Sequence, residues 1–407
     1  MSEQGETFKS KYQQIVEDLK KLDLDFRIND LNEALEVFHD GRWQRLTDTL
    51  VSVIKTDLRE VGYGRKKKGP LGPVQDAWVK LAHEQRYNPI VDYFRGLEGR
   101  YEASPNGPYV LNTFIKFFEN PDQMFGRWLF KWMTGAIARI FIGDRNPMLV
   151  LVGKQRIGKS TLARWLCPVD RETYFIEQAI KPENKDAVLR LTDTLVWEVP
   201  ELGATTRRAD AEALKAFITL RHVQERPAYG RYPIEKAALC SFIGSVNFDG
   251  AGFLNDPTGS TRFLSCELSK IDFLCYSLTS IDELWTEAYW YFQHVPNCWK
   301  LSPEEEETQA RINTSFEVVS ELDETLQLSF EFTENPADFM TTQDIKNHLI
   351  ANGYSVTGPG GFFRELTRLL HRRGVVKARE AYQPGKPHRQ GWAGVKKAGE
   401  YEKLFRV

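Results

Sequence analysis

Apolar residues follow two spacings along the chain, and each spacing predicts a different kind of structure. From Val74 to Phe141 they recur mostly every three or four residues, which is typical of amphipathic helices. In this stretch Trp128, Trp132 and Ile137 would share one helix face, and we interpret the stripe as core packing. The pattern therefore predicts a mostly helical N-terminal domain over residues 23–141.

The second spacing consists of short apolar runs separated by polar stretches with helical periodicity. The runs are MLVLV (148–152), TLVWEV (194–199) and LCSFIGSV (239–246). Runs of this length between helices are typical of the buried strands of a parallel sheet. We therefore predict an α/β core over residues 142–299.

Charge divides the rest of the chain. Residues 1–22 are rich in Glu, Gln and Lys and predict an N-terminal arm or a weakly stable helix. Residues 300–339 hold 11 acidic and 2 basic side chains and predict an acidic linker or helical segment, whereas residues 340–407 hold 13 basic and 5 acidic ones. The reversal predicts a separate, basic C-terminal domain.

Composition limits the class of protein. A chain of 407 residues exceeds the size of one hydrophobic core, so two or three domains are expected. Its 42% hydrophobic and 27% charged residues exclude a disordered chain, and 54 basic against 56 acidic residues leave the net charge uninformative about partners. Five scattered cysteines show no metal-ligand spacing and predict reduced thiols. With no signal segment and no apolar run of about 20 residues, we expect a cytoplasmic protein without a membrane partner.

The strongest local motif is GKQRIGKST, which matches the phosphate-binding pattern GxxxxGK[ST]. It follows the run MLVLV and precedes the helical segment TLARWL, as a phosphate-binding loop requires. Its backbone N–H groups would cradle the phosphates of ATP, Lys159 would reach the β and γ phosphates, and Ser160 would ligate Mg²⁺. The alternative is a glycine turn with an incidental lysine. The predicted nucleotide-binding residues are Gly153, Lys154, Gln155, Arg156, Ile157, Gly158, Lys159, Ser160 and Thr161.

Polar residues at the ends of two further runs complete a predicted hydrolytic site. Glu198 would hold Mg²⁺ and polarise the attacking water, and Glu201 follows three residues later. Either glutamate could be the catalytic base, and Glu201 could instead cap the following helix. Asn247 ends the third run, where its amide could orient the water.

The order of these motifs resembles the virulence-associated protein E family, which is related to superfamily 3 helicases. The matching segments cover roughly residues 26–294: YNPIVDYFRGL (87–97), GKQRIGKST (153–161), WEVPELG (197–203), LKAFIT (214–219), ERPAYGR (225–231), FIGSVN (242–247) and FLNDPTGSTRF (253–263). The resemblance implies a P-loop NTPase core of the AAA+ type and a homo-oligomeric ring, expected to be a hexamer.

The resemblance also implies that an arginine of one subunit completes the site of its neighbour, and Arg262 occupies that position. A surface ion pair is the alternative role for Arg262. The family usually has two adjacent arginines there, whereas Thr261 precedes Arg262 in this chain. Arg156 also replaces a residue that is usually small, but no essential group is missing.

Two basic segments predict contacts with nucleic acid. The resemblance implies a hairpin that tracks single-stranded DNA in the ring channel, and residues 221–236 occupy its place. The predicted contacts are Arg221, His222, Arg226, Tyr229, Arg231 and Lys236. An ordinary charged hairpin on the outer surface is the alternative.

Residues 340–407 suggest a winged-helix-like domain that could bind duplex DNA through its second helix. The predicted contacts there are Arg368, Arg372 and Arg373. A docking module for a partner protein is the alternative.

These predictions favour an ATP-dependent replicative DNA helicase of a mobile genetic element such as a phage or chromosomal island. Replication partners such as a primase are compatible with this role. An ATP-switched initiator that binds an origin or loads another helicase, without unwinding activity, is the first alternative. A nucleic-acid-stimulated ATPase in phage defence is the second.

Overall fold

The computed structural model describes residues 10–64, 70–105, 107–205, 208–225, 233–247, 252–254, 261–318, 320–356, 359–379 and 389–399. These residues form two units. Unit 1 lies within residues 1–249 and 261–313, and unit 2 lies within residues 250–260 and 314–407. Within the described stretches, no helix is both long and apolar enough to cross a lipid bilayer.

A four-stranded sheet with three helices forms the N-terminal part of unit 1. Its elements are α1 (Lys11–Lys21), β1 (Asp25–Asn29), β2 (Ala34–His39), β3 (Arg42–Arg45), α2 (Asp48–Glu60), α3 (Gly72–Glu84) and β4 (Arg86–Tyr87). The strand order is β3-β2-β1-β4, and only β4 runs parallel to its neighbour. Leu19 of α1 is fully buried in this core, where Phe26 stacks on Trp78 with ring centroids 5.3 Å apart.

Residues 23–141 contain more helix than strand, as predicted, but the sequence prediction missed this sheet. Its strands are two to six residues long, so each face carries at most three side chains, too few to show a period of two. Of the arm or helix predicted for residues 1–22, the described part forms helix α1, and this helix belongs to the folded core.

The second part of the predicted helical domain packs on the central sheet of unit 1. Its elements are α4 (Pro89–Arg95), α5 (Tyr109–Phe114), a 3₁₀ turn (Ile115–Phe117), β5 (Phe118–Glu119) and α6 (Phe125–Ile142). The indole N–H groups of Trp128 and Trp132 donate to the carbonyl oxygens of Ser265 (3.1 Å) and Phe242 (2.8 Å). The aromatic stripe of α6 is therefore core, as predicted, and it ties this segment to the central sheet.

Five parallel strands make up the central sheet, in the order β12-β6-β11-β8-β7. The elements of this region are β6 (Met148–Gly153), α7 (Lys159–Trp165), α8 (Arg171–Tyr174), β7 (Phe175–Glu177), α9 (Lys185–Arg190), β8 (Val196–Val199), α10 (Leu202–Thr205), α11 (Arg208–Ile218), β9 (His222–Glu225), β10 (Ile234–Ala237), β11 (Ser241–Asn247), β12 (Phe263–Glu267) and β13 (Lys270–Ile271). The structure confirms the predicted α/β class with a parallel sheet. Strand β6 lies between β11 and β12, so the loop that leaves β6 lies near the middle of one sheet edge.

Three helices follow the sheet: α12 (Cys275–Leu278), α13 (Ile281–His294) and α14 (Pro303–Ser315). Helix α13 packs beside α6. It places Glu287, which is 1% exposed, at the start of α5, where it accepts hydrogen bonds from Val110 N (2.9 Å) and Leu111 N (2.8 Å). This buried carboxylate is structural, because it satisfies otherwise unpaired N–H groups of a helix end.

Unit 2 combines three helices with two small sheets. Its elements are α15 (Glu321–Ser329), β14 (Phe330–Phe332), β15 (Phe339–Thr341), α16 (Thr342–Ala351), α17 (Pro359–Arg372), β16 (Val376–Arg379), β17 (Gln390–Ala393) and β18 (Val395–Lys397). The sheets are β14-β18 and β15-β17-β16. Leu326, Leu366 and Trp392 are at most 1% exposed in its core. For residues 300–339, predicted as an acidic linker or helical segment, the structure shows the helical alternative, mainly as α14 and α15.

Candidate functional site

The loop between β6 and α7 has a backbone shape that depends on glycine. Gly158 adopts φ = 103°, a left-handed conformation that side chains rarely adopt. At Gly153, an added Cβ would lie 2.2 Å from the carbonyl oxygen of Leu268. Arg156 also has positive φ (67°) and is exposed. The conformation of this loop therefore requires glycine at positions 153 and 158.

Lys159 is buried under this loop, with only 6% of its surface exposed. Its Nζ donates to the carbonyl oxygens of Gly153 (2.8 Å) and Lys154 (2.7 Å) and to Oδ1 of Asn247 (3.1 Å). Burial lowers the pKa of this lysine, and the nearby charge of Glu198 opposes that shift. The Lys159 ammonium group is thus bound by three uncharged oxygen acceptors. An anionic ligand could take the place of these acceptors.

Ser160 and Glu198 form the second contact of the site. The Ser160 hydroxyl donates to Oε1 of Glu198 at 2.6 Å, and Glu198 is fully buried. Its Oε2 atom has no hydrogen bond of ordinary geometry, although the Ser245 hydroxyl lies near enough to lower the carboxyl pKa. Burial dominates and raises the pKa of Glu198, and the charge of Glu177 raises it further. An ionised carboxylate here needs a cation, because isolated buried charge is costly.

Ser160 and Glu198 suit Mg²⁺ better than they suit a metal ion that needs three or more protein ligands. Among the described residues, no group of three or more His, Cys, Asp or Glu side chains could hold a metal ion. Mg²⁺ usually takes one or two protein oxygens and completes its shell with water and phosphate oxygens. The Ser160 hydroxyl and the unsatisfied Oε2 of Glu198 are two such oxygens.

Strand register brings these groups to one edge of the sheet. Asn247 lies opposite Gly153 on the neighbouring strand, and Glu177 lies opposite Glu198. In open α/β sheets, ligands bind beyond the carboxyl ends of the strands. The convergence of Lys159, Glu198 and Asn247 agrees with the predicted arrangement.

A cavity of about 400 Å³ opens at this edge. It is lined by Gln155, Arg156, Gly158, Lys159, Ser160, Thr161, Glu177, Pro200, Glu201, Ser245, Asn247 and Phe273. Glu201 is exposed and has positive φ (47°), a conformation that costs a non-glycine residue energy. Both predicted glutamates therefore belong to the site, Glu198 at the loop contact and Glu201 in the cavity lining.

The sequence prediction missed Glu177, Ser245 and Phe273. Glu177 ends the short run Tyr174–Ile176, and a polar residue closing an apolar run is the same signal that identified Glu198. Ser245 lies inside the segment FIGSVN, where nothing in the sequence distinguishes it from its neighbours. Phe273 had no signal in the sequence, because its place depends on how β13 pairs with β5.

Arg262 lies at the opposite edge of the sheet. Its carbonyl oxygen accepts a hydrogen bond from Met148 N (2.8 Å) at the start of β6, whereas the phosphate-binding motif begins at Gly153. Five residues of strand separate these points, about 17 Å at roughly 3.3 Å per residue. Arg262 instead lines a second cavity of about 400 Å³, together with Arg145 and Lys300. Within one chain, Arg262 is therefore not part of the first cavity.

The predicted hairpin exists as the antiparallel pair β9 and β10, but two of its cations are already paired. Arg221 lies 3.2 Å from Oδ1 of Asp144. Lys236 lies 2.7 Å from Oε1 of Glu33 and also donates to backbone carbonyl oxygens of the N-terminal sheet. His222 is exposed. The predicted contacts Arg226, Tyr229 and Arg231 lie outside the described residues.

The predicted duplex-DNA contacts in unit 2 also have acidic partners. Glu317 lies 2.7 Å from Arg372 and 4.0 Å from Arg368, and Asp323 lies 2.5 Å from Arg373. Acidic and basic segments that the sequence separates are thus joined by ion pairs within unit 2. On β16, Lys377 and Arg379 are exposed, and Lys377 lies 5.4 Å from the centre of the Trp392 ring.

Comparison with solved structures finds similarity to the C-terminal region of NrS-1. Its apo structure (residues 305–718 of that protein) aligns over 95% of this chain and 100% of that chain, with 12% identity and a TM-score of 0.48. Two A-form apo structures of the same region give TM-scores of 0.44 (12% identity, 90% and 88% covered) and 0.48 (13% identity, 95% and 100% covered).

Comparison of sequences gives the family. No curated protein matches the chain. The model of the virulence-associated protein E-like domain matches residues 104–318, which is more than half of the 407 residues and includes β6, β8, β11 and β12. The chain therefore belongs to the virulence-associated protein E-like family.

Proposed function

We propose that the chain binds ATP with Mg²⁺ in the 400 Å³ cavity beside the β6–α7 loop and hydrolyses it. The observation that carries this proposal is the contact between Ser160 and the buried Glu198, beside the buried Lys159. A cation, a hydroxyl and a carboxylate with an unsatisfied oxygen meet at a glycine-dependent loop. This is the set of groups that a P-loop NTPase uses to bind a magnesium–nucleotide complex.

Each group has a role in the proposed reaction. Lys159 leaves the carbonyl oxygens of Gly153 and Lys154 and donates to the β and γ phosphates. Ser160 and Glu198 would hold Mg²⁺, which when bound neutralises charge on the phosphates. Asn247 orients a water molecule for attack on the γ phosphorus, and the bond to the β–γ bridging oxygen breaks to give ADP and phosphate.

The attacking water must lose a proton, and Glu201 is our choice as the base. Glu198 already accepts a hydrogen bond from Ser160, whereas Glu201 lines the cavity and is exposed. Glu177 lines the same cavity and is the alternative base. Glu201→Gln and Glu177→Gln distinguish the two, since loss of hydrolysis with retained ATP binding identifies the base.

We propose further that hydrolysis drives a ring-shaped helicase in the replication of a phage or other mobile element. Membership of the family supports this role. The position of Arg262, about 17 Å along the strand from the loop, favours a function in a second copy of the chain. A ring, expected to be a hexamer, would supply such a copy and enclose single-stranded DNA.

An ATP-switched initiator is a second candidate, and the arrangement of unit 2 favours it. Strand β15 precedes α16 and α17, which are followed by the antiparallel pair β16 and β17, an order that resembles a winged-helix domain, and exposed cations lie on β16. Such a unit could recognise duplex DNA at an origin.

One pair of assays separates these functions. A helicase hydrolyses ATP faster when single-stranded DNA is added and separates a forked duplex. An initiator binds duplex DNA of a particular sequence through unit 2 and does not separate strands. If the chain hydrolyses no ATP either with or without single-stranded DNA, the proposed function is wrong.

A further inference from the structure

Phe273 is an exposed aromatic residue in the lining of the proposed nucleotide cavity, and the hydrolytic roles above do not use it. Its side chain is 54% exposed, unusual for a phenylalanine, yet it belongs to the same cavity as Lys159 and Ser160. One ring edge lies against the loop: a Cβ added at Gly158 would lie 2.9 Å from two Phe273 ring atoms. More than half of the residue's surface remains exposed.

The backbone that carries Phe273 is fixed on both sides. Strand β13 pairs with β5 just before it, and Asp272 N donates to the carbonyl oxygen of Phe117 (2.8 Å). The Asp272 carboxylate accepts a hydrogen bond from Leu274 N at 3.0 Å. The turn at Phe273 is therefore anchored to the scaffold and does not need to fold around a ligand.

Neighbouring aromatic residues hold the ring in place. The Phe273 ring lies 6.0 Å from that of Tyr276, which lies 5.2 Å from Trp165. Trp165 in turn stacks on Phe114 at 5.1 Å, with planes 9° apart. This row runs from the buried Phe114 of α5 through the half-buried Trp165 and Tyr276 to Phe273, so neighbouring rings support the Phe273 ring on one side.

We infer that Phe273 is the platform on which the base of the bound nucleotide stacks. This rests on the proposed function, because Lys159 and Ser160 must fix the triphosphate at the loop. A flat base joined to that triphosphate needs an apolar surface within the same cavity, and the free area of the Phe273 ring is such a surface. Base–aromatic stacking changes affinity by roughly 5- to 150-fold and accepts any base, because every base has a π face.

Binding of two ligands tests this inference. Dissociation constants for ATP and for inorganic tripolyphosphate, which has no base, are measured with the full chain and with Phe273→Ala. We expect Phe273→Ala to weaken ATP binding about tenfold or more and to leave tripolyphosphate binding within twofold. Phe273→Tyr, which keeps the ring, should bind ATP as the wild type does.

Leu278→Ala is the matched control. Leu278 is 67% exposed, lies five residues further along the chain and does not line the cavity. Its truncation should therefore leave the dissociation constants of both ligands unchanged. Because Phe273 is more than half exposed, its truncation leaves no enclosed void, and thermal melting should be close to the wild type.

Four results would overturn the inference. ATP binding by Phe273→Ala at the wild-type level would show that the ring does not contact the base. Equal loss of both ligands would show that the ring only supports the loop at Gly158. A changed oligomer mass with unchanged ATP binding would assign the ring to an interface. If the wild type binds neither ligand, the proposed function itself fails and the inference fails with it.

Discussion

The Ser160 hydroxyl lies 2.6 Å from Oε1 of Glu198, a carboxylate that is fully buried and whose second oxygen lacks a hydrogen bond of ordinary geometry. Inserting or deleting one residue in β8 or in the β6–α7 loop would move these two side chains apart. The fold thus keeps a buried carboxyl group beside a hydroxyl and a lysine, where ionisation of that group costs stability unless a cation binds. Sites that trade stability for function in this way are typical of enzymes.

Glu198→Gln should stabilise the fold and abolish hydrolysis. Burial raises the pKa of Glu198 above its value in the unfolded chain, so ionisation in the folded state costs free energy. We expect the melting temperature at pH 7 to rise by about 2–4 °C, which corresponds to roughly 1 kcal/mol for a domain of this size. Calorimetry of both proteins without nucleotide measures the difference.

The same pKa shift predicts a pH dependence. A group whose pKa is raised on folding stabilises the folded state fully below the unfolded pKa, and this contribution is lost as pH rises through the folded pKa. The wild type should therefore lose stability relative to Glu198→Gln as pH rises from about 4.5, the ordinary value, through the raised pKa. A constant difference across that range would contradict the account of Glu198 as a destabilised buried acid.

Lys159→Ala should reduce ATP hydrolysis at least about 100-fold, because the phosphates lose a positioned positive charge. Lys154→Ala is the matched control, since Lys154 lies in the same loop but is exposed and does not line the cavity. Steady-state phosphate release measures both. Similar losses in the two variants would indicate a general effect of loop charge.

Arg262→Ala should keep ATP binding and lose hydrolysis. Because it lies at the far end of the strands from the phosphate-binding loop, the proposed ring requires it to act on the nucleotide of another subunit. Mixed with Lys159→Ala subunits, it should therefore recover part of the activity, because some interfaces then combine an intact loop with an intact arginine. Lys270→Ala, which removes an exposed cation elsewhere on unit 1, should hydrolyse ATP normally. No recovery in mixed oligomers would contradict the role between subunits.

Arg373→Ala should affect the stability of unit 2 more than DNA binding. Its guanidinium lies 2.5 Å from Asp323 and is 19% exposed, so a partly buried charged hydrogen bond is lost, worth roughly 1.5–3 kcal/mol. Lys377→Ala removes an exposed cation of β16 and should weaken duplex binding with little change in melting. Thermal melting and DNA titration of both variants test this division, and the reverse pattern would contradict it.

The central sheet and the phosphate-binding loop could be predicted from the sequence, because both depend on local patterns of residues. Short apolar runs predict buried strands, and the spacing of Gly153, Gly158 and Lys159 is fixed by how a backbone encloses phosphates. The end of each run marks one sheet edge, which is why Glu198 and Asn247 were found together with the loop.

Features that depend on distant partners could not be predicted in this way. Glu317 and Asp323 are far in sequence from the arginines with which they form ion pairs. The basic composition of residues 340–407 therefore predicted arginines available to DNA, whereas these arginines have acidic partners. Phe273 reaches the cavity only through the pairing of β13 with β5. The N-terminal sheet was missed because its strands are too short to show a period.

A structure of the full chain with Mg²⁺ and a non-hydrolysable ATP analogue tests the central claim most directly. We predict the γ phosphate within hydrogen-bond distance of Lys159 Nζ, which has then left the carbonyl oxygens of Gly153 and Lys154, with Mg²⁺ between Ser160 and the phosphates. An analogue bound elsewhere, or Lys159 still bonded to its own loop while the analogue is present, would contradict the account.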